Sequence, residues 1–157
     1  MVSEPAKWVV PLQQAGASNL TFHIESDMPE GGPQALIHMI RKAGMTVGMV
    51  MKPGTSIECV IPYLKELDVL LIMTVEPGFS GQAFMPDMMS KVHAIRSLAP
   101  TLNVQVDGGL SPTTIATAAQ AGANVIVAAS AIFGSQNRQS VIDALRTSVD
   151  QHLHQQP

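Results

Sequence analysis

The stretch Val69-Leu70-Leu71-Ile72-Met73-Thr74-Val75-Glu76-Pro77-Gly78-Phe79-Ser80-Gly81-Gln82 joins an apolar run directly to a glycine-containing loop. A short continuous apolar run is typical of a strand that is buried on both faces, as in a parallel sheet. Gly78 and Gly81 permit positive φ and a close backbone approach, so free amides in this loop could face a phosphate or an oxyanion. An ordinary βα turn is the alternative interpretation, because glycine-rich loops also serve turn geometry.

Short apolar runs of the same kind recur along the chain, and segments with helical spacing alternate with them. Together with residues 69–73, the runs at 20–24, 45–51, 104–106 and 125–128 predict five strands. The helical pattern predicts helices over residues 5–15, 34–43 and 138 to about 152, and helix starts at Ser56, Pro86 and Ser111. Strands that alternate with helices indicate an α/β protein with parallel pairing and right-handed crossovers.

Two architectures fit this alternation, an open doubly wound sheet and a (β/α)8 barrel. Five strands ordinarily favour the open sheet. A complete barrel needs about 250 residues. The 157 residues of this chain could therefore supply only part of a barrel.

Composition limits the classes of function. Hydrophobic residues make up 46% of the chain and charged residues 13%, which suits one domain with a sizeable core. The net charge of -3 and the pI near 5.9 give no basic footprint, so we expect no nucleic-acid partner. A single cysteine, Cys59, fits a reducing compartment, and no apolar run approaches the length of a membrane span. The first residues lack a secretory pattern, so we expect a cytoplasmic protein without a membrane segment.

Asp107 directly follows the predicted strand at residues 104–106 and precedes Gly108 and Gly109. Its carboxylate is therefore expected at the C-terminal end of that strand, where active sites of parallel α/β proteins lie. A carboxylate there can act as a general base or as a metal ligand. The alternative is a simple Asp-Gly turn, since both residues are common in turns.

Two further segments offer amides and hydroxyls to a phosphate, one around Ser111 and one from Ala129 to Ala131. In parallel barrels the loops after the last two strands and a nearby helix N-terminus frequently form a phosphate site. N-capping by Ser111 and Ser130 is the alternative.

His23 and Glu25 lie two residues apart in the first predicted strand and therefore on one face of it. A strand histidine is more often structural than chemical, so we assign the pair no site role. The sequence has no zinc-ligand spacing, no G-x-S-x-G elbow and no phosphate loop of the G-x-x-x-x-G-K-[ST] type. Hydrolase and nucleoside-triphosphatase functions are disfavoured.

Four segments together resemble the ribulose-phosphate 3-epimerase family in order and spacing. They are Thr21-Phe22-His23-Ile24-Glu25, Lys52-Pro53-Gly54-Thr55, residues 73–82 and Val106-Asp107-Gly108-Gly109. The resemblance covers essentially the whole chain, and the loop differs from the common family form mainly in having Ser80 where a glycine is usual. It implies a TIM-type (β/α)8 ribulose-phosphate-binding barrel, here incomplete, with five βα units in a single domain over residues 1–157.

The resemblance also implies an activity. Members are isomerases of the pentose phosphate pathway that interconvert D-ribulose 5-phosphate and D-xylulose 5-phosphate by acid/base proton transfer at C3. Two aspartates carry the proton, and a divalent cation of the Fe, Zn, Mn or Co type, held by both and by two histidines, stabilises the enediolate. By resemblance Asp107 is a catalytic residue and metal ligand. The implied substrate and phosphate contacts are Gly78, Phe79, Ser80, Gly81, Gly108, Gly109, Ala129 (where the family usually has glycine) and Ser130.

Met1-Val2-Ser3 resembles the family segment at the end of the third strand. We therefore expect a partial barrel without the first three strands, the other aspartate and both histidines. One hypothesis is an epimerase polypeptide that retains the phosphate half of the site. The other is an inactive fragment that binds sugar phosphate, or that forms homodimers or associates with full-length subunits through exposed strand edges. A different phosphate-binding barrel isomerase or lyase is disfavoured by the loop motif.

Overall fold

A computed structural model describes residues 1–79 and 81–153 of the chain. Its centre is a five-stranded parallel sheet whose strands are arranged in chain order. The strands are β1 Asn19–His23, β2 Thr46–Met51, β3 Val69–Met73, β4 Asn103–Asp107 and β5 Val125–Val127. Within the described residues the sheet does not close, so β1 and β5 are its two edges.

Helices alternate with the strands, as predicted for an α/β protein, except between β2 and β3. They are α1 Val9–Gln14, α2 Gly32–Lys42, α3 Met89–Leu98, α4 Ile115–Ala121, α5 Ser130–Phe133 and α6 Arg138–Leu153. Short 3-10 turns cover Pro5–Trp8, Ile57–Cys59, Ile61–Glu66 and Pro86–Met88. All five strand predictions are confirmed, with boundaries that shift by one residue or less. No helix in the described part of the chain is both long and apolar enough to cross a membrane.

The predicted helix start at Ser56 is wrong, because two 3-10 turns connect β2 to β3 instead of an α-helix. Pro62 lies in this segment, and its ring removes an amide donor and clashes with the carbonyl four residues earlier. The loss of this hydrogen-bond donor and the clash prevent a continuous α-helix through the segment.

The helix predicted to start at Ser111 begins four residues later, as α4 at Ile115, although the Ser111 hydroxyl accepts the Thr113 amide at 3.3 Å and the Ser111 carbonyl accepts the Ile115 amide at 3.0 Å. Thr114 donates its hydroxyl to the Gly109 carbonyl at 3.0 Å and accepts the Ser111 amide at 3.0 Å. These side-chain bonds stabilise a turn ahead of the helix. The short helix α5, directly after β5, was not predicted.

The two faces of the sheet differ in composition. The outer face packs its apolar residues against the helices and forms the main core, which includes Val47, Met49, Met51, Leu70, Ile72, Val104 and Val106. The inner face mixes apolar Val50, Leu71 and Met73 with polar Thr21, His23, Gln105 and Asp107, as the strand register shows. The polar groups therefore lie on the face that a barrel would enclose.

The inner face is crowded between β1 and β2. A Cβ atom added to Gly48 would lie 2.2 Å from Thr21 Oγ1 and 2.8 Å from a Val69 methyl group. Only glycine fits such a close approach between neighbouring strands. The contact lies on the inner face of the sheet, which also carries Thr21 and His23.

Candidate active site

A cleft of about 340 Å³ lies at the C-terminal ends of β3, β4 and β5. All site residues predicted from the sequence and described by the structure line it: Gly78, Phe79, Gly81, Asp107, Gly108, Gly109, Ala129 and Ser130. Ser80, the remaining predicted contact, lies outside the described residues. The carboxyl ends of parallel strands are where α/β proteins bind ligands, so the position agrees with a binding function.

Asp107 is the last residue of β4 and pairs with Met73 of β3 and Val127 of β5. Its side chain is partly buried, and this desolvation raises the pKa of the Asp107 carboxyl above its ordinary value. Within residues 1–79 and 81–153, no hydrogen bond reaches the carboxylate. A carboxyl group with a raised pKa is better matched to proton exchange near neutral pH than an ordinary aspartate.

The loop after β3 is anchored to the turn after β4. The Thr74 amide donates to the Asp107 carbonyl at 2.8 Å, and the Thr74 hydroxyl donates to the Gly108 carbonyl at 2.7 Å. Gln82 closes the loop on itself, since its Nε2 donates to the carbonyls of Glu76 at 2.6 Å and Phe79 at 2.9 Å. These bonds fix the loop against the strand that carries Asp107.

Gly109 shows why this turn needs glycine. It has φ of +67°, and an added Cβ would lie 2.4 Å from the Phe84 backbone nitrogen. Neither the conformation nor the space admits a side chain. The loop after β3 and the turn after β4 therefore touch backbone to backbone beside Asp107.

Ala129 and Ser130 close the cleft on the β5 side. Ala129 precedes α5, and its carbonyl accepts the Phe133 amide at 2.9 Å. The Ser130 hydroxyl makes no capping hydrogen bond within the described residues. The N-capping alternative for Ser130 is therefore not what the structure shows.

Sequence reasoning missed two polar residues of the cleft, Glu76 and Gln82. Glu76 is exposed and is the other carboxylate that lines the cleft within the described part of the chain. Its position one residue before Pro77 in the loop motif was the available signal. Gln82 contributes the loop contacts described above.

A second polar group lies at the C-terminal ends of β1 and β2. His23 Nδ1 is 3.1 Å from Glu25 Oε2, and Glu25 Oε1 accepts the Lys52 amide at 2.9 Å and the Thr55 hydroxyl. Partial burial tends to raise the pKa of Glu25, but the hydrogen bonds from Lys52, Thr55 and His23 outweigh it and lower that pKa. Glu25 is therefore ionised at neutral pH. Neither residue lines the cleft around Asp107.

The described residues do not assemble a metal centre. Within them no group of three or more His, Cys, Asp or Glu side chains converges on a point that could hold a cation. Asp107 offers one carboxylate, whereas divalent cations need several oxygen or nitrogen ligands. The donor set present does not fit the cation that the sequence resemblance implies.

Residues 1–133 match the family model described as "Ribulose-phosphate 3 epimerase family". The chain is 50% identical over 153 residues to the cytoplasmic isoform of ribulose-phosphate 3-epimerase from Oryza sativa subsp. japonica, a match over 96% of this chain and 66% of the relative. It is 45% identical to ribulose-phosphate 3-epimerase from Candida glabrata, over 98% of this chain and 61% of the relative. The chain thus spans less than two thirds of the length of these curated relatives.

Among solved structures, 3-hexulose-6-phosphate synthase from Salmonella typhimurium matches with a TM-score of 0.70 at 21% identity, over 94% of this chain and 69% of that chain. Such low identity bears on the fold alone. The matched neighbours are TIM-type (β/α)8 barrels, so the barrel interpretation is confirmed over the doubly wound sheet, with the five strands forming an open part of it.

Proposed function

The chain belongs to the ribulose-phosphate 3-epimerase family, and on that premise we propose that its cleft binds a pentose phosphate and that Asp107 exchanges a proton with C3 of the bound sugar. The reaction served would be the interconversion of D-ribulose 5-phosphate and D-xylulose 5-phosphate. One observation carries the proposal. A carboxyl group of raised pKa shares a single cleft with three backbone segments that can bind a phosphorylated sugar.

Binding would rest on backbone groups. The turn at Gly108 and Gly109 and the start of α5 at Ala129 and Ser130 face the same cleft, and amides of this kind suit a phosphate. Phe79 is 75% exposed at the rim and would cover the sugar. Ser80 remains a predicted contact. The methyl group of Ala129 is expected to limit how closely the phosphate approaches that amide.

Asp107 would serve one face of the sugar. Its carboxylate removes the C3 proton, and the electrons of the broken C–H bond move toward the C2 carbonyl to give an enediolate. Inversion at C3 requires a proton on the opposite face and therefore a second carrier. We infer that residues 1–157 form one partial barrel domain and that this carrier belongs to strands found in the unmatched third of the relatives.

The same reasoning applies to the divalent cation of the Fe, Zn, Mn or Co type. Asp107 is the one ligand that this chain would contribute. The remaining ligands would come from the same strands as the second proton carrier. The described residues of this chain do not by themselves form the site of the cation.

The test uses the purified 157-residue protein and D-ribulose 5-phosphate. Binding should appear as amide shifts at residues 78–81, 107–109 and 129–130 in NMR spectra, and Asp107→Asn should retain this binding. No epimerisation is expected, with or without added Mn²⁺. Absence of binding by folded protein would overturn the proposal. Metal-dependent turnover that Asp107→Asn abolishes would show instead that the chain itself holds the second carrier.

A second candidate role is association with a full-length subunit or with another copy. The observation that favours it is the open edge at β1, next to which a groove is lined by exposed Met1, Val2 and Trp8. Unpaired strand edges favour pairing with another chain. The expected compartment is the cytoplasm, since the rice relative is a cytoplasmic isoform.

A further inference from the structure

We propose that His23 is an additional ligand-contacting residue, whose Nε2 accepts a hydrogen bond from a sugar hydroxyl of the substrate. The inference deepens the proposed function and rests on it. It comes from the way in which the chain holds this imidazole and from the face of the sheet on which it lies.

Glu25 fixes the orientation of the His23 ring. The carboxylate is 3.1 Å from Nδ1, so an ionised Glu25 selects the tautomer that carries its proton on Nδ1. Nε2 is then an acceptor. No hydrogen bond joins Nε2 to any residue in the part of the chain that the structure describes. A carboxylate that orients an imidazole and leaves its other nitrogen free is the arrangement that enzymes use for a working histidine.

Glu25 is itself held in place by hydrogen bonds, so its contact with His23 is fixed by the surrounding structure. Its Oε1 accepts the Lys52 amide and the Thr55 hydroxyl. The same short loop is held from the other side by Lys91, whose Nζ donates to the carbonyls of Pro53 and Thr55, each at 2.6 Å. The side chains of His23 and Glu25 are only 14% and 21% exposed. The imidazole is thus preorganised through its carboxylate and the loop behind it.

His23 lies on the face of the sheet that carries Asp107. The register aligns His23 with Val50, Val50 with Leu71, and Leu71 with Gln105, which is two residues before Asp107. Because side chains alternate along a strand, His23, Gln105 and Asp107 all lie on the inner face. Both residues therefore face the same side of the sheet.

His23 lies at the rim of the groove of about 280 Å³ along the β1 edge, and Met1 lines both this groove and the cleft around Asp107. The phosphate-binding segments follow β4 and β5, at the far side of the sheet from β1. We infer that a five-carbon sugar whose phosphate is bound there lies along the inner face, with its hydroxyl-bearing carbons toward β1 and His23. The expected contact is therefore with the sugar and not with the phosphate.

The experiment compares D-ribulose 5-phosphate with inorganic phosphate on the same protein. His23→Asn keeps an N–H group near the position of Nδ1 for Glu25 but removes the acceptor at Nε2. We expect it to weaken ribulose 5-phosphate binding roughly five- to tenfold, as for one lost hydrogen bond, and to leave phosphate binding unchanged. Circular dichroism and thermal unfolding check that the variant folds. In the wild type, the Nε2 resonance should move when the sugar phosphate is added and stay in place with phosphate.

Each outcome decides a different point. Equal weakening for both ligands, or none for either, would assign His23 a structural role and overturn this inference. If His23→Asn does not fold, His23→Gln is the second variant. Its side-chain amide reaches the Nε2 position, so it should keep part of the sugar-phosphate affinity of the wild type. Shifts at residues 107–109 without any at His23 would overturn the inference alone. If ribulose 5-phosphate does not bind at all, the proposed function falls and this inference with it.

Discussion

Ionisation of the partly buried Asp107 carboxyl destabilises the folded state. Its pKa is raised by burial, so the folded state resists ionisation of a group that ionises freely in the unfolded chain. Below the ordinary aspartate pKa of about 3.9 both states are protonated and the cost is absent. As the pH rises through the raised pKa, the folded state loses stability relative to the unfolded state.

We therefore predict that Asp107→Asn is more stable than the wild type at neutral pH. The gain in the free energy of unfolding should increase with pH and vanish in acid, as measured by urea unfolding between about pH 4 and 7.5. The exposed Asp150→Asn is the matched control and should show no such trend. A gain that is constant across this range would contradict the burial argument.

Gly109 lies where both the backbone conformation and the packing require glycine. Gly109→Ala should lower the free energy of unfolding by about 2–4 kcal/mol, because a positive φ and a clash with Phe84 add together. Gly16 has φ of +87° but nothing within 4 Å of an added Cβ. Gly16→Ala should therefore cost only the conformational part, about 1–2 kcal/mol. Equal losses of unfolding free energy in the two variants would show that the loop after β3 moves to accommodate the added methyl group.

Arg96 is a buried cation within a cage of carbonyl groups. Its guanidinium donates to the carbonyls of Gly122, Pro100 and Leu102 and to the Asn124 side chain, and burial lowers its pKa. Arg96→Lys should destabilise the fold by about 2–4 kcal/mol, since one ammonium cannot span these acceptors. Chemical unfolding measures the loss, with exposed Arg146→Lys as the control. A loss below about 1 kcal/mol would mean that water replaces the cage.

Lys91 links α3 to the loop after β2 through its bonds to the Pro53 and Thr55 carbonyls. Lys91→Met removes the donor to Pro53 and Thr55 but keeps the aliphatic stem. The amides of residues 54–56 should then exchange with deuterium roughly tenfold faster, while the strands keep their protection. The exposed Lys65→Met should change nothing there. Unchanged exchange in Lys91→Met would mean that Glu25 alone positions the loop.

The strands were predictable because each is a compact apolar run, and their alternation with helices led directly to parallel pairing. The connection from β2 to β3 was not, since helical spacing around Ser56 suggested a helix while Pro62 blocks one. The start of α4 depended on side-chain bonds of Thr114, which spacing does not reveal. Both wrong helix boundaries therefore have local causes, Pro62 in one segment and the side-chain bonds of Thr114 in the other.

The candidate site was largely predictable because its residues follow strands and carry a long loop motif. Contacts between distant parts of the chain were not. The link from Thr74 to Gly108 spans 34 residues, and that from Thr55 to Glu25 spans 30. His23 and Asp107 share a face only through the register of four strands. Such relations appear only when the sheet is assembled.

The whole molecule leaves apolar surface at the β1 edge. Trp8 is 49% exposed, Val2 49% and Met1 83%, and together they line the groove beside β1. In a closed barrel another strand and helix would cover such an edge. An open sheet instead presents unpaired backbone groups next to exposed apolar side chains, a combination that favours association.

We predict that the 157-residue protein self-associates reversibly at micromolar concentration through this edge. Trp8→Arg should shift the weight-average mass in sedimentation toward the monomer, because a charge at the groove resists burial. Leu98 is 56% exposed but lies in a separate groove at the start of β4, so Leu98→Arg should leave association unchanged. Equal effects of the two variants would indicate non-specific aggregation. If the wild type stays monomeric at every concentration measured, the β1 edge does not support self-association. Association with full-length subunits would then need a different surface.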